Sequence, residues 1–414
     1  MITNLKKYLP YLLPLLLIFS RSVADITIVL ISILFIYHSY KKLGWGWVKE
    51  KWFCFALIFW VYCLTINSAF SINPTESLAY SLFFIRWPIF AMALAYWILT
   101  DIKSLKKFLL AMTLVLIFII FDTWWQFFFE QDIFGFEIYT PNRLTGPFKG
   151  NPHVGAWIAK LILLPPLFLI LYDKLKLQEH QNCLTYSFFI ISTILFLSVA
   201  ITGERMALLL TLASIFILFI GLALNKIFLL KKISLLLLFS FFAILIFAYS
   251  FPHITERAYF STIEKILNWR TSDYGLVWQS AYDVWVQSPL FGAGLHKYRE
   301  ACENLGIYGS SYLNAIGGGV CFHPHNISLQ LLSETGLVGF ILFYAMVIVL
   351  AFTSLKIYFT SKLWLSFALV FNIIFTCFLP IASSTSFFAN KYGAIVWLLV
   401  GVMLATNRLF KKEN

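Results

Sequence analysis

The residues best suited to chemistry gather around His323-Pro324-His325-Asn326, with Glu334 nine positions beyond His325. This is the last polar run before a long apolar segment, so it lies where a hydrophilic loop re-enters a membrane. Polar groups at such a boundary mark functional sites. Imidazole titrates near neutrality, so His325, with Asn326 beside it, has the chemistry to take a proton from an attacking hydroxyl. His323 and His325 could also be two metal ligands, but no third ligand stands at a suitable spacing. A lone loop histidine serves equally well as a hydrogen-bonded structural residue.

Three arginines bear on the same question. Arg143 lies in Pro141-Asn142-Arg143-Leu144-Thr145-Gly146-Pro147-Phe148, Arg205 follows Thr202-Gly203-Glu204, and Arg270 precedes a stretch containing Trp278. Taken singly, each is equally a snorkelling side chain or the partner of a neighbour such as Glu204. Gathered with His325 they would do more. Guanidinium forks hold phosphate oxygens bidentately and neutralise the charge of a departing diphosphate in a dry site. No D-x-D cluster is present, and Asp132, Asp273 and Asp283 are dispersed, so no metal is expected. Lys160, two turns into an apolar stretch that His153 opens, and Arg86, inside another, are second-tier candidates, since a charge there is costly unless it faces a cavity.

The elements that must position these groups follow from composition. Of 414 residues, 60% are hydrophobic and 12% charged, against about a quarter charged in soluble domains. Mean hydropathy is +0.83. The chain is an all-α polytopic membrane protein. Twelve apolar stretches read as spans, at about 8–20, 24–40, 52–70, 77–100, 107–129, 153–172, 184–203, 206–225, 233–250, 337–355, 363–381 and 390–407. One alternating set of loops holds 19 of the 31 Lys and Arg against five acidic residues. The bias places that set, with both termini, in the cytoplasm. It also accounts for the formal charge of +12 without nucleic acid. Lys6-Lys7, the run Tyr8 to Ser20 and Ser22-Val23-Ala24 imitate a secretory signal, but Pro10, Pro14, Arg21 and the second apolar run favour an uncleaved first span.

The expected architecture is a single membrane domain, 1–414, with two long embedded loops on the opposite, periplasmic face. They run from about 130 to 152 and from about 251 to 336, the second lying between spans nine and ten. Within the second, Trp278, Tyr282, Trp285 and Val286 share one face of a helix over 272–288, and 255–268 is amphipathic, with Glu256, Glu264 and Lys265. Both pieces are expected on the membrane surface or against the bundle, with tryptophans at headgroup level. Gly292-Ala293-Gly294 and Gly317-Gly318-Gly319 read as turns. The six cysteines form no C-x-x-C pair. Cys54, Cys63, Cys183 and Cys377 lie in or beside apolar segments, whereas Cys302 and Cys321 share the long loop and could form a disulfide in an oxidising compartment.

With Gly292-Ala293-Gly294 followed by His325-Asn326 and Glu334-Thr335-Gly336-Leu337-Val338-Gly339, the chain resembles the O-antigen ligase and polymerase superfamily. Arg270 with Trp278 and Pro289-Leu290-Phe291-Gly292, Arg205-Met206-Ala207-Leu208-Leu209 and Arg143-Leu144-Thr145-Gly146 fit further elements of its pattern. His323-Pro324 stands where that pattern commonly has an asparagine before the proline, and Lys149 in the first loop is a second departure. The resemblance implies a GT-C-like glycosyltransferase of the bacterial (Gram-negative) inner membrane, working at the periplasmic face without metal or other cofactor. Its donor would be an undecaprenyl-diphosphate-linked glycan and its acceptor a sugar hydroxyl of lipid A-core, with inversion at the anomeric carbon. His325 would be the base, Arg205 and Arg270 would bind the diphosphate, and Arg143 would assist. Protein-targeted members tend to carry an extra domain, and this chain stops soon after the twelfth span, which points to the ligase. A polymerase or protein O-oligosaccharyltransferase is the alternative. A twelve-span transporter is more distant, because the polar groups crowd the loops rather than mid-membrane.

Overall fold

The computed structural model describes residues 2–140, 143–172, 181–224, 245–252, 267–306, 321–361, 364–382 and 385–413, with a few isolated residues between 234 and 264. In chain order the helices are α1 (Ile2–Phe19), α2 (Arg21–His38), α3 (Lys51–Tyr62), α4 (Pro74–Phe84), α5 (Arg86–Ala93), α6 (Ile102–Phe129), α7 (Val154–Leu161), α8 (Leu164–Tyr172), α9 (Gln181–Ala200), α10 (Arg205–Leu224), α11 (Asp273–Gln287), α12 (Tyr298–Asn304), α13 (Ile327–Ser361), α14 (Trp364–Phe378) and α15 (Asn390–Glu413). Among the described residues there are no strands, only two isolated bridges in the 130–143 loop. The chain is a polytopic helical membrane protein. Five described helical runs are long and apolar enough to cross a membrane, and six shorter apolar helices accompany them. Together they cover eleven of the twelve expected spans; part of the remaining one, 233–250, lies outside the described residues, as do Gly317 to Gly319 and most of 255–268.

Local chemistry sets the helix starts. Asn73 caps α4, accepting from the Glu76 amide at 3.3 Å, with Pro74 in the first turn where its missing N–H costs nothing. Asp101 and Ser104 form a reciprocal capping box at α6. Ser272 caps α11 through the Gly275 amide at 3.2 Å. The core is built where α3 packs on α13, α5 on α15 and α10 on α14, filled by Trp52, Phe59, Phe343 and Trp397.

One element differs from the sequence reading. The span expected to begin at 337 begins at Ile327, and it is interrupted by Gly336 at φ 65°, ψ −175°. The polar block is therefore helical itself, and the interruption lies inside it. Freed backbone groups at the break are satisfied by the 289–294 segment. Ala293 N–H donates to Ser333 O (2.8 Å), Gly294 N–H to Glu334 O (2.9 Å) and Leu337 N–H to Pro289 O (2.9 Å). Asn67 Nδ2 donates to Phe291 O (2.7 Å) and Glu334 O (2.9 Å), and the Tyr62 hydroxyl donates to Thr335 O at 2.7 Å. Glycine is required on both sides: a Cβ on Gly336 would lie 2.2 Å from Leu290 O, and one on Gly292 would lie 2.5 Å from Glu334 O.

In α11 the face of Tyr282 and Val286 is the outward one. Tyr282 and Val286 are about half exposed, whereas Val277, Ser280, Ala281 and Val284 are buried, with the helix packed on α13. Small residues allow close helix approach, and amphipathic rings suit a lipid–water boundary.

Candidate active site

His325 sits just ahead of α13 with φ 49°, a conformation rare for a residue with a side chain. Its backbone N–H donates to Nδ1 of His323 at 3.2 Å, and the two rings are 3.8 Å apart, centroid to centroid. Tyr274 of α11 meets His325 edge-on at 5.8 Å. Asn326 is the cap of α13, its Oδ1 accepting from the Leu329 amide at 3.1 Å, and so fixes the direction in which His325 leaves the helix. Burial, reinforced by the charge of Arg143, holds the His325 imidazole down at about 4. Burial followed by its two histidine neighbours, His325 and His153, brings His323 to about 2. His153, just ahead of α7, is brought to about 3 by burial, then by Lys391, Arg143, His325 and Lys160. The three rings are thus neutral in a field set by cations.

Arg143 is placed by its loop. Gln126 on α6 accepts from the amides of Thr145 and Gly146, both at 2.9 Å, and donates to Thr145 Oγ1 at 2.9 Å. The Arg143-Leu144-Thr145-Gly146 run is thereby nailed to a spanning helix. Arg143 Nη2 donates to Pro152 O at 3.2 Å, while its Nε is buried with no hydrogen-bond partner. A buried guanidinium N–H without an acceptor is costly, and an anion at that position would satisfy it.

Glu204 and Arg205 stand on the hairpin between α9 and α10. The Glu204 carboxylate accepts from the amides of Gly155 (2.7 Å) and Ala156 (3.2 Å), so it caps α7 across the chain. Burial raises its pKa to about 7, against the lowering effect of the Gly155 bond and the charges of Arg143 and Lys160. Arg205 follows directly, half-buried at the first position of α10. Arg270 is apart from this group: it is exposed, 5.7 Å over the Trp269 ring, one turn before Tyr274.

The second-tier residues separate. Lys160 is almost fully buried, donating to Ala156 O at 3.4 Å and lying 4.9 Å from the Tyr392 ring, with its charge acting on His153. Glu334 takes a different role from His325: Oε1 accepts from Gln330 Nε2 (3.0 Å) and Oε2 from the His296 amide (2.8 Å), so it braces the 292–296 turn. Arg86 opens α5 at a break in what had read as one helix, bonded to Asp25 Oδ1 at 3.2 Å and Asn390 Oδ1 at 2.9 Å. Cys302 and Cys321 form a disulfide (S–S 1.97 Å), which ties α12 to the segment entering His323. Among the described residues no three His, Cys, Asp or Glu side chains are grouped to hold a metal ion.

Three residues of the site escaped the sequence reading. Gln126 and Glu204 act through backbone amides far along the chain, which no local pattern announces. Lys391 lies 4.0 Å over the Phe148 ring and 5.3 Å from Trp157, beside the histidines, but in sequence it looks like an ordinary helix-start lysine.

Residues 188–344 match the family described as O-antigen ligase, an interval that contains Arg205, Arg270, the disulfide, His325 and Glu334. No curated protein matches the chain. Over that segment the chain is similar to the O-antigen ligase family, within a helical membrane architecture.

Proposed function

We propose that this protein is an O-antigen ligase, transferring a glycan from undecaprenyl diphosphate to a sugar hydroxyl of lipid A-core at the periplasmic face of the inner membrane. The observation that carries the reading is the neutral His325 facing an arginine with an unfilled buried donor. His325 takes the proton of the acceptor hydroxyl while that oxygen attacks the anomeric carbon. The bond from that carbon to the diphosphate oxygen breaks, and the diphosphate leaves with the electron pair. Attack opposite the leaving group inverts the centre. Arg143, with Arg205 and Lys391 nearby, offsets the charge that develops on the leaving oxygens. Arg270, at the exposed rim, meets the donor as it enters. A diphosphate beside Arg143 also cancels the field that weakens His325, so donor binding strengthens the base.

The test is transfer in vitro, with purified protein, lipid-linked glycan, lipid A-core and chelator, resolved on a gel. A ladder moved onto lipid A-core, surviving in chelator and abolished in His325→Ala, is the expected result. Lengthening of the donor with the core left bare would make the chain a polymerase. Activity retained in His325→Ala would remove the base. No change in either lipid would point to transport.

A further inference from the structure

At the α15 N-terminus, lined in part by Asn390, lies a cavity of about 320 Å³. Its floor is the Arg86, Asp25 and Asn390 network, and Tyr80, Phe83, Trp87 and Phe388 are among its walls. Arg86 Nε donates to Asp25 Oδ1 (3.2 Å), Nη1 to Phe83 O (2.7 Å) and Nη2 to Asn390 Oδ1 (2.9 Å); Asn390 Nδ2 donates to Asp25 Oδ2 at 3.2 Å. The single positive charge meets a single negative one. The guanidinium also lies 4.2 Å over the Trp87 ring. Five N–H donors on arginine and four lone pairs on a carboxylate exceed these internal bonds. The floor therefore offers donors and acceptors together at no net charge.

That combination selects a ligand class. A phosphate would face Asp25 as well as Arg86 and would have to break their pair. An alkyl chain would offer nothing to the spare guanidinium N–H groups and carboxylate lone pairs of the floor. Hydroxyl groups donate and accept at once, so they match a neutral floor of mixed polarity. The apolar C–H faces of a pyranose ring fit against aromatic faces, whose π-clouds are negative. The volume is in the range of sites for small ligands lined by aromatics and a few placed polar groups.

We propose that this cavity is a glycan subsite, holding a pyranose unit remote from the reacting one. The inference rests on the glycan-transfer reading given above. Two connections join the cavity to the histidine site. Tyr80 stacks on His296 at 4.1 Å, and the His296 amide is bound by Glu334 on the helix that carries His325. Asn390 is followed by Lys391, which reaches Phe148 and Trp157 beside the histidines, and a smaller cavity lined by Asp25, Asn390, Arg21 and Lys391 adjoins. A chain of several sugars with its reacting end at His325 would thus be gripped at a second point, and remote binding of this kind supports turnover at the reacting one.

The experiment is saturation-transfer NMR on the full chain in lipid nanodiscs. The probes are methyl pyranosides of gluco, galacto, manno and N-acetylglucosamine configuration, with octyl phosphate and octane in separate arms. Ala79→Trp fills the cavity from an exposed position, and Tyr80→Ala removes an exposed wall, so neither disturbs the core. Transfer to at least one pyranoside is expected in the wild type and in His325→Ala, with affinity reduced about tenfold in the two cavity variants. Sugar signals equal in all variants, or none from any pyranoside, overturn the subsite. Octyl phosphate or octane displacing nothing supports it, and either of them binding in place of the sugars overturns it. Binding that follows the cavity variants in a chain that moves no glycan in vitro keeps the subsite and removes the transfer reading. Glycan transfer with no pyranoside binding does the reverse.

Discussion

His323 holds His325 in place through its backbone: the His325 amide donates to His323 Nδ1 at 3.2 Å, with His325 at φ 49°. Because Nδ1 accepts, the His323 ring proton sits on Nε2. The strained conformation of His325 persists only while such a bond secures it. His323→Ala should lower kcat by roughly 100-fold with little change in KM, since misplacement of a base acts on turnover. His323→Asn offers Oδ1 at the same distance from the backbone and should restore most of the rate, whereas His323→Gln should not. Steady-state kinetics on the three variants check this; an Ala variant with wild-type kcat would free His325 from its neighbour.

With His325 as the proposed base, the acid limb of activity should report it. Its pKa is lowered to about 4 by burial and by Arg143, so the unprotonated base is present above that pH and lost below it. The profile of kcat/KM, which reads the free enzyme, should therefore fall only near pH 4. Arg143→Met removes a positive neighbour and should move the limb upward while weakening donor binding. A limb that stays in place in that variant would show that Arg143 does not act on the base.

Glu204 gives stability a pH dependence of its own. Its folded pKa, about 7, is above the ordinary 4.5, so its contribution is full below pH 4.5 and disappears as pH rises through 7. Thermal unfolding of the wild type should become easier between these limits, and Glu204→Gln should flatten the slope. The same variant retains only one oxygen acceptor for the Gly155 and Ala156 amides, a loss of about 1 kcal/mol. An unchanged slope would exclude Glu204 as its source.

Gly336→Ala should be strongly destabilising. It forces a side chain into a backbone region reserved for glycine, at a cost of at least about 2 kcal/mol, and drives Cβ into Leu290 O. Low yield and a reduced melting temperature are expected, with Gly135→Ala, in open space but also at positive φ, as the milder control.

Much of this arrangement was legible in the residues. Spans followed from hydropathy, since long apolar runs are what a membrane helix requires. What stayed hidden has a physical reason. In a membrane bundle both the lipid face and the packed face are apolar, so residue type in 272–288 could not disclose that Tyr282 and Val286 are half exposed while Ala281 and Val284 are buried. Gly336 in a run of helix formers conceals a break because the compensating amides come from residues 289–294. Glu204 looked like a partner for Arg205, its neighbour, but its bonds reach Gly155 and Ala156.

The interlock at Gly336 also imposes an order on assembly. Asn67 is 224 residues from Phe291 and 267 from Glu334, and its amide bonds both. Contacts of such sequence separation form late, after the intervening chain has been brought into place. The interlock around Gly336 is therefore among the last parts of the bundle to be completed. A nascent or truncated chain lacking Asn67, the 289–294 segment or the break at Gly336 leaves this interlock open.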